Sequence, residues 1–275
     1  MISQHDIQSY KYDNRILQRG DTYLYLLPHP ALRAYISNYT ITFPTPEIMT
    51  ERYTIMPDGS ATLVLACENN VVSAFVYGPS AVPETVGSSP FELLIITEFQ
   101  PAGFHALTGI KQHELANILL PLDSISPVLN QSITEIAEKA NTVHELARGL
   151  DHVYLQSMCI SQNALLQLAT HNIIASAGNV SLKALSAEVH YSERHINRMF
   201  TQTIGVNVKV FSRLVRLNNA CRMLENDKNS ITAISAALGF YDLQHFNHDF
   251  QLLSGVSPQA YRSNMSDFYH AIAKF

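Results

Sequence analysis

In the last third of the chain, apolar positions recur at intervals of three and four: Leu182, Leu185 and Val189 in one stretch, Ile231, Ile234 and Leu238 in another. That spacing places each set on one face of a helix. A turn follows each, at His190-Tyr191 and at Gly239-Phe240-Tyr241, and then comes a residue suited to cap a new helix, Ser192 or Asp242. The helices so opened carry Ile196, Phe200 and Ile204 on one face, and Phe246, Phe250 and Leu253 on the other's. Between the pairs, Val208 to Glu225 places Phe211, Leu214, Val215, Asn218, Cys221 and Leu224 at helical spacing with no internal Pro or Gly, which predicts one continuous amphipathic helix.

Earlier residues follow a different rhythm. Between Tyr23 and Phe99 lie short runs rich in β-branched and aromatic residues, Ile36–Phe43, Ala61–Ala66, Val71–Tyr77 and Phe91–Phe99. They are punctuated by the turn signals Pro57-Asp58-Gly59-Ser60, Asn69-Asn70, Gly78-Pro79-Ser80 and Gly87-Ser88-Ser89-Pro90. A compact β-rich unit results, a small barrel or sandwich. From Pro101 onward Lys111–Leu119, Ser132–Lys139, Val143–Val153 and Leu155–Ala175 read as helices. The fold class is therefore α+β in two domains: a β-rich unit over 1–125, a helical connector or dimerisation segment over 126–177, and an all-α unit over 178–265. Within the last, helix-turn-helix units span 181–205 and 230–254, joined by a helix over 208–225. With 47% hydrophobic residues in 275, each part can furnish a core.

The all-α unit is one motif written twice. His195-Ile196-Asn197-Arg198-Met199-Phe200 corresponds to His245-Phe246-Asn247-His248-Asp249-Phe250, and Gly205-Val206 to Gly255-Val256, at an offset of fifty; upstream the offset is forty-nine, pairing Ser186 with Ser235. Facing outward on the two second helices are Arg194, His195, Asn197 and Arg198, and Leu243, Gln244, Asn247 and His248. Arg donates two bonds to guanine and Asn or Gln pairs with adenine, so these are candidates for reading base edges in the major groove. A single polar helix face is more often just solvated; two copies with caps and turns in register favour the reader. Candidates for phosphate contact are Lys209, Arg213, Arg216 and Arg222 on the connecting helix and Arg262 after it, with Arg216 foremost. Charge is partitioned accordingly: residues 181–265 hold nine Lys/Arg against six Asp/Glu, the remainder nine against seventeen.

From Asn179 to Asn264 the chain resembles the DNA-binding domain of the AraC/XylS family of bacterial transcription regulators. The resemblance is carried by the turn Gly239-Phe240, the cap Asp242, Phe246 and Phe250, and the ending Gly255-Val256-Ser257-Pro258-Gln259-Ala260-Tyr261-Arg262, together with Arg216-Leu217, Ala220 and Leu224. It implies double-stranded promoter DNA and RNA polymerase as partners, activation rather than repression, and a homodimer as one option, although no run sustains a coiled-coil seam. The family usually places a basic residue where His248 and Gln251 stand, so the first unit, with Arg194 and Arg198, is expected to supply most of the specific affinity. The N-terminal part resembles a sensor-like domain found ahead of this module, through Pro28–Tyr39, Met56-Pro57-Asp58-Gly59, Val76-Tyr77-Gly78-Pro79 and Phe99-Gln100-Pro101-Ala102-Gly103-Phe104. A small apolar or aromatic effector would be lined by Tyr23, Tyr25, Tyr39, Tyr53, Phe75 and Phe99, residues whose commoner role is simply core.

Enzymatic signatures are missing. His5, His29, His105 and His113 form no H-x-H or H-E-x-x-H arrangement, and neither a Gly-x-Ser-x-Gly elbow nor a Walker loop occurs. Cys67, Cys159 and Cys221 are too far apart for a zinc knuckle and suggest no disulfide framework. No metal, cofactor or catalytic residue is expected. Neither a signal sequence in Met1–Ser9 nor an apolar run long enough for a bilayer is present, which predicts a cytoplasmic protein with no membrane partner. Two alternatives stay open for the N-terminal part: a ligand-free oligomerisation module, and an enzymatic domain fused to the reader, which the missing signatures disfavour.

Overall fold

The computed structural model describes residues 1–44, 52–87, 91–161, 163–226, 229–265 and 268–269. Its strands are β1 (Ile16–Arg19), β2 (Tyr23–Leu26), β3 (Ile36–Thr42), β4 (Arg52–Ile55), β5 (Thr62–Glu68), β6 (Val71–Tyr77), β7 (Glu84–Gly87), β8 (Leu93–Phe99), β9 (Leu119–Pro121) and β10 (Phe268–Tyr269). An antiparallel sheet runs β1-β2-β3-β8-β5-β6-β9, and a smaller one runs β10-β4-β7. The β5–β6 hairpin closes through Asn69-Asn70, whose φ angles of 51° and 63° match the twist that two-residue turns need.

Helices α1 (Gln4–Ser9), α2 (Gly103–Thr108), α3 (Leu122–Ile125), α4 (Pro127–Lys139) and α5 (Val143–Ser157) accompany this sheet. Leu129, Ile133, Leu146, Leu150 and Tyr154 from α4 and α5 join Leu24, Tyr39, Ile41, Leu63, Leu65 and Ile95 from the strands in one core. Asp151 on α5 is the polar tie. It accepts from the Tyr39 hydroxyl at 3.0 Å and the His29 N–H at 2.9 Å, and pairs with Arg15 at 2.9 Å. Every exposed partner of that carboxylate is thus replaced by a protein donor, as burial requires.

Two helical expectations are corrected. Lys111–Leu119 is a short 3-10 turn at Gln112–Glu114 followed by Asn117 in the left-handed region (φ 58°) and the start of β9. Leu155–Ala175 is broken: α5 ends at Ser157, the Cys159 and Ile160 N–H groups turn to the Ala106 carbonyl, and Asn163 caps α6 (Ala164–Ala175) through the Leu165 N–H at 2.8 Å. The stretch 126–177 consequently divides between two cores, α4 and α5 in the first, α6 in the second, where Leu166, Ala169 and Ile173 meet Leu185, Ile196, Phe200 and Phe211.

The remaining helices are α7 (Leu182–Val189), α8 (Glu193–Thr203), α9 (Val208–Leu224), α10 (Ile231–Ala237), α11 (Leu243–Ser254) and α12 (Pro258–Ser263). Helix α9 is the spine. Its Phe211 and Val215 belong to the core of α6–α8, its Leu214, Leu217, Cys221 and Leu224 to the core of α10–α12. No helix among the described residues is long and apolar enough to cross a membrane.

The N-terminal unit packs against this spine and against both flanking pairs of helices. Met56, 4% exposed, is built into the α10–α12 core, and the Asn218 side-chain amide on α9 donates to the Pro57 carbonyl at 3.3 Å. Gly59, at φ +70°, runs so close to α9 that an added Cβ would lie 3.0 Å from Leu214. Pro79 sits against Gly205, after α8, and Pro83 against Gly255, after α11, where added Cβ atoms would lie 3.0 Å and 3.5 Å from the proline rings. Gly205 and Gly255 are equivalent positions of the repeat, so one loop of the N-terminal unit touches the same corner of both copies.

Candidate nucleic-acid interface

Each copy is built from the same local devices. Ser181 and Ser230 cap α7 and α10 by accepting the Ala184 and Ala233 N–H groups, both at 3.1 Å. The turn then needs one left-handed residue, His190 (φ 57°) in the first copy and Gly239 (φ 72°) in the second. Ser192 caps α8 by accepting the His195 N–H at 3.2 Å, and Asp242 caps α11 by accepting the His245 N–H at 2.6 Å. A serine of the first helix reaches back to each turn: Ser186 donates to the Tyr191 carbonyl at 2.6 Å and Ser235 to the Asp242 carbonyl at 3.2 Å. These bonds set the angle between the paired helices.

On α8, Ile196, Met199 and Phe200 are buried, and Arg194 and Arg198 are exposed. His195 is half-buried, stacked on Tyr191 at 4.9 Å, with Nδ1 3.5 Å from the Arg198 guanidinium. Asn197 turns the other way: its carbonyl oxygen accepts the Val208 N–H at 3.2 Å, tying α8 to the first turn of α9. On α11, Phe246, Asp249, Phe250 and Leu253 face inward, while Leu243, Gln244, Asn247 and His248 are all exposed.

The cations expected on phosphates separate into two groups. Lys209 is exposed and Arg222 half-buried. Arg213, by contrast, pairs with Asp249 of α11, its Nε at 2.8 Å from Oδ1, in a site where the two side chains are only 20% and 12% exposed. Arg216 lies with its guanidinium 5.2 Å from the Phe240 ring centroid, and burial lowers its pKa despite the nearby Asp249. Arg262 donates to the Leu224 carbonyl at 3.3 Å and the Asn229 carbonyl at 2.7 Å. These three guanidinium groups are engaged inside the protein, Arg213 and Arg262 by hydrogen bonds that a phosphate would have to displace. Helical spacing put them on an outward-looking face; Asp249 and the carbonyls that meet them come from other elements.

Three features escaped the sequence reading. Lys183 on α7 is exposed. Asp249 is a buried acid at the position where the first copy has Met199. Tyr191 and Tyr241, at the same offset of fifty as the rest of the repeat, are 48% and 93% exposed. The repeat itself carries the signal for the tyrosines, since each ends the turn immediately before the cap.

The six aromatics considered for an effector do not converge. Cross-strand pairing puts Tyr39 beside Leu26 and Ile41 beside Leu24 and Ile95, on the face covered by α4 and α5. Tyr39 and Phe99 are each 1% exposed there and pack around Tyr154. Tyr23, Tyr25 and Phe75 alternate with buried Leu24, Leu26, Ala74 and Val76, and so lie on the opposite face. The Tyr53 side chain lies outside the described residues. That opposite face carries a polar row instead: Asn38, Glu98 and Thr62 are direct neighbours across β3, β8 and β5, and the Thr62 hydroxyl donates to Glu98 at 2.9 Å. Among the described residues no three His, Cys, Asp or Glu side chains gather as a metal site.

Residues 185–264 match a helix-turn-helix domain family, and residues 25–121 match a domain of unknown function (DUF6597). The HTH-type transcriptional activator RhaR of Pectobacterium carotovorum is 35% identical over 80 residues, which are 29% of this chain and 28% of RhaR. The chain spans under a third of the length of the first curated relatives it matches. Among solved structures, a transcriptional regulator of Chromobacterium violaceum described by its AraC-type DNA-binding domain is 26% identical, with 36% of this chain and 93% of that one covered at a TM-score of 0.34. ToxT of Vibrio cholerae is 11% identical over 83% of this chain and 93% of its own, at a TM-score of 0.44.

Proposed function

With a C-terminal DNA-binding domain of the AraC family as the premise, we propose that the protein is a sequence-specific transcription regulator that reads two successive major grooves, about 34 Å apart on B-DNA, with α8 and α11. The observation that carries this reading is the duplication itself: two capped helices, each buried on its apolar face against a shared spine and polar on the face left outside. Arg194 and Arg198 read guanine; Gln244 and Asn247 read adenine; Leu243 meets a thymine methyl; His195 and His248 flank them. Asn197, its carbonyl spent on Val208, contributes at most its amide donor. Phosphate contacts are assigned to Lys183, Lys209 and Arg222, while Arg213, Arg216 and Arg262 hold the scaffold. The first copy supplies most of the specific affinity. The chain acts on promoter DNA as an activator working with RNA polymerase, in keeping with the family, without catalysis or a cofactor.

Control enters through the N-terminal unit. Its contacts fall on α9 and on Gly205 and Gly255, so a displacement of that unit, by a small effector or by dimerisation, would change the placement of the two readers relative to each other. The second reading, a ligand-free oligomerisation module, predicts no stabilisation by any metabolite class in a thermal-shift screen. The DNA reading is tested by selecting duplexes from a random pool with the full chain. Two short boxes one helical turn apart support it; absence of enrichment, with or without the metabolites screened, refutes it.

A further inference from the structure

Tyr191 and Tyr241 occupy the same place in the two copies, one residue before the cap of the second helix. Their rings are 48% and 93% exposed, and among the described residues neither hydroxyl has a partner. Neither tyrosine belongs to a core cluster: Tyr191 rests on His195 at the surface, and Tyr241 stands in water. We propose that both tyrosines are DNA-backbone contacts, each donating its hydroxyl to a phosphate oxygen at the edge of the groove its helix enters. The proposal rests on the DNA-binding reading and adds to it residues that position the readers rather than read bases.

Three observations favour a phosphate as the occupant. The position is continuous with the reading face, since Arg194 and Leu243 begin two or three residues later. The helix ends themselves are poor anion sites: their N–H groups are partly taken by Ser192 and Asp242, and two carboxylates stand at these ends, Glu193 in the first turn of α8 and Asp242 as the cap of α11. A donor set just outside the helix avoids that repulsion. Finally, α10 and α11 contain no Lys or Arg, so the second copy needs a neutral donor to hold the backbone. Tyrosine is among the side chains that give such hydrogen bonds, and its ring can lie on the adjoining sugar. In the first copy the stacked His195 fixes the ring of Tyr191 at 4.9 Å; Tyr241 is held only by its backbone and would order on binding.

The test uses the full chain with Tyr191→Phe, Tyr241→Phe and the double variant, which keep the ring and so the fold, measured against a selected duplex over a salt series. Each single variant is expected to bind about tenfold more weakly, the scale of one hydrogen bond to a charged acceptor. The slope of log K against log salt should stay as in the wild type, because a phenol releases no counterion, and the base preference should not change. Wild-type affinity in the double variant would overturn the proposal, and so would a changed preference at one base pair. Arg198→Ala separates the two levels: if it weakens binding while the phenylalanine variants do not, only this inference fails; if the wild type enriches no duplex, the DNA reading fails with it.

Discussion

The ion pair between Arg213 and Asp249 offers the sharpest check on how charge is used in the C-terminal unit. It joins the spine α9 to α11 across thirty-six residues of sequence. At about 3 Å and an effective dielectric of about 20, its gross attraction is roughly 5 kcal/mol. Desolvation cancels much of that: removing one partner of a fully buried pair costs about 3–5 kcal/mol, of an exposed pair about 0–1. With 20% and 12% of the side chains exposed, this pair falls between, and a loss of about 2 kcal/mol is expected for Asp249→Asn or Arg213→Met. The assay is a double-mutant cycle on urea unfolding of the full chain, followed by far-ultraviolet circular dichroism, with a coupling of about 1–2 kcal/mol expected between the two sites. A phosphate-binding Arg213 would behave otherwise. Arg213→Met would then flatten the salt slope of DNA binding by about one unit, and Asp249→Asn would strengthen binding by freeing a cation. Additive single effects together with that flattened slope would refute the structural role.

Asn218→Leu leaves the Pro57 carbonyl unpaired in a buried site and should cost about 1–2 kcal/mol; in DNA binding it should relax discrimination between duplexes whose two boxes are one helical turn apart and duplexes with the second box displaced by half a turn, and an unchanged ratio would count against the N-terminal grip. His190→Gly relieves a left-handed non-glycine residue at the turn where the second copy has Gly239, and thermal unfolding should show a gain of about 1 kcal/mol. Gly239→Ala should do the reverse, because besides its φ of 72° an added Cβ would lie 2.9 Å from Asn179. Burial raises the Cys67 thiol to about 11 and the Cys221 thiol to about 12, so both stay protonated at pH 8, well below those values. A disulfide reagent at that pH should titrate one thiol, the exposed Cys159, in the native protein and three after denaturation.

What could be seen in the sequence depended on whether the signal was local. The helix-turn-helix units were legible because their evidence, a period near 3.6 with a cap every turn, repeats within ten residues, and because the duplication states it twice. Base-reading candidates on α11 followed from the same period. Asn197 did not, since its acceptor role depends on where α9 begins, eleven residues on. Nor did the fate of Arg213, Arg216 and Arg262: a helical wheel says which way a side chain points, while Asp249, Phe240 and the Leu224 and Asn229 carbonyls that meet these groups belong to other elements. In the N-terminal unit the strands were marked by composition, but strand order and register were not. Without the pairing of Tyr39 with Leu26, nothing in the sequence separates the aromatics on the two faces of the sheet.

The two copies are unequal in a way that bears on control. In the second, three arginines are consumed in holding it together: Arg213 on Asp249, Arg216 over Phe240, Arg262 on the end of α9. The first has an apolar Met199 where the second has Asp249, and keeps Lys183, Arg194 and Arg198 for the solvent. On the proposed reading, counterion release would belong mainly to the first copy and to Lys209 and Arg222 on the spine, and it would set affinity for any duplex. The second would contribute contacts that hold only if α11 meets its groove in register. Met56, Pro57 and Pro83 press on the spine and second copy, Pro79 on the first. A movement of the N-terminal unit would thus change which spacing of boxes is recognised more than how tightly DNA is held, and regulation by this route would act on the choice of promoter rather than on occupancy of DNA in general.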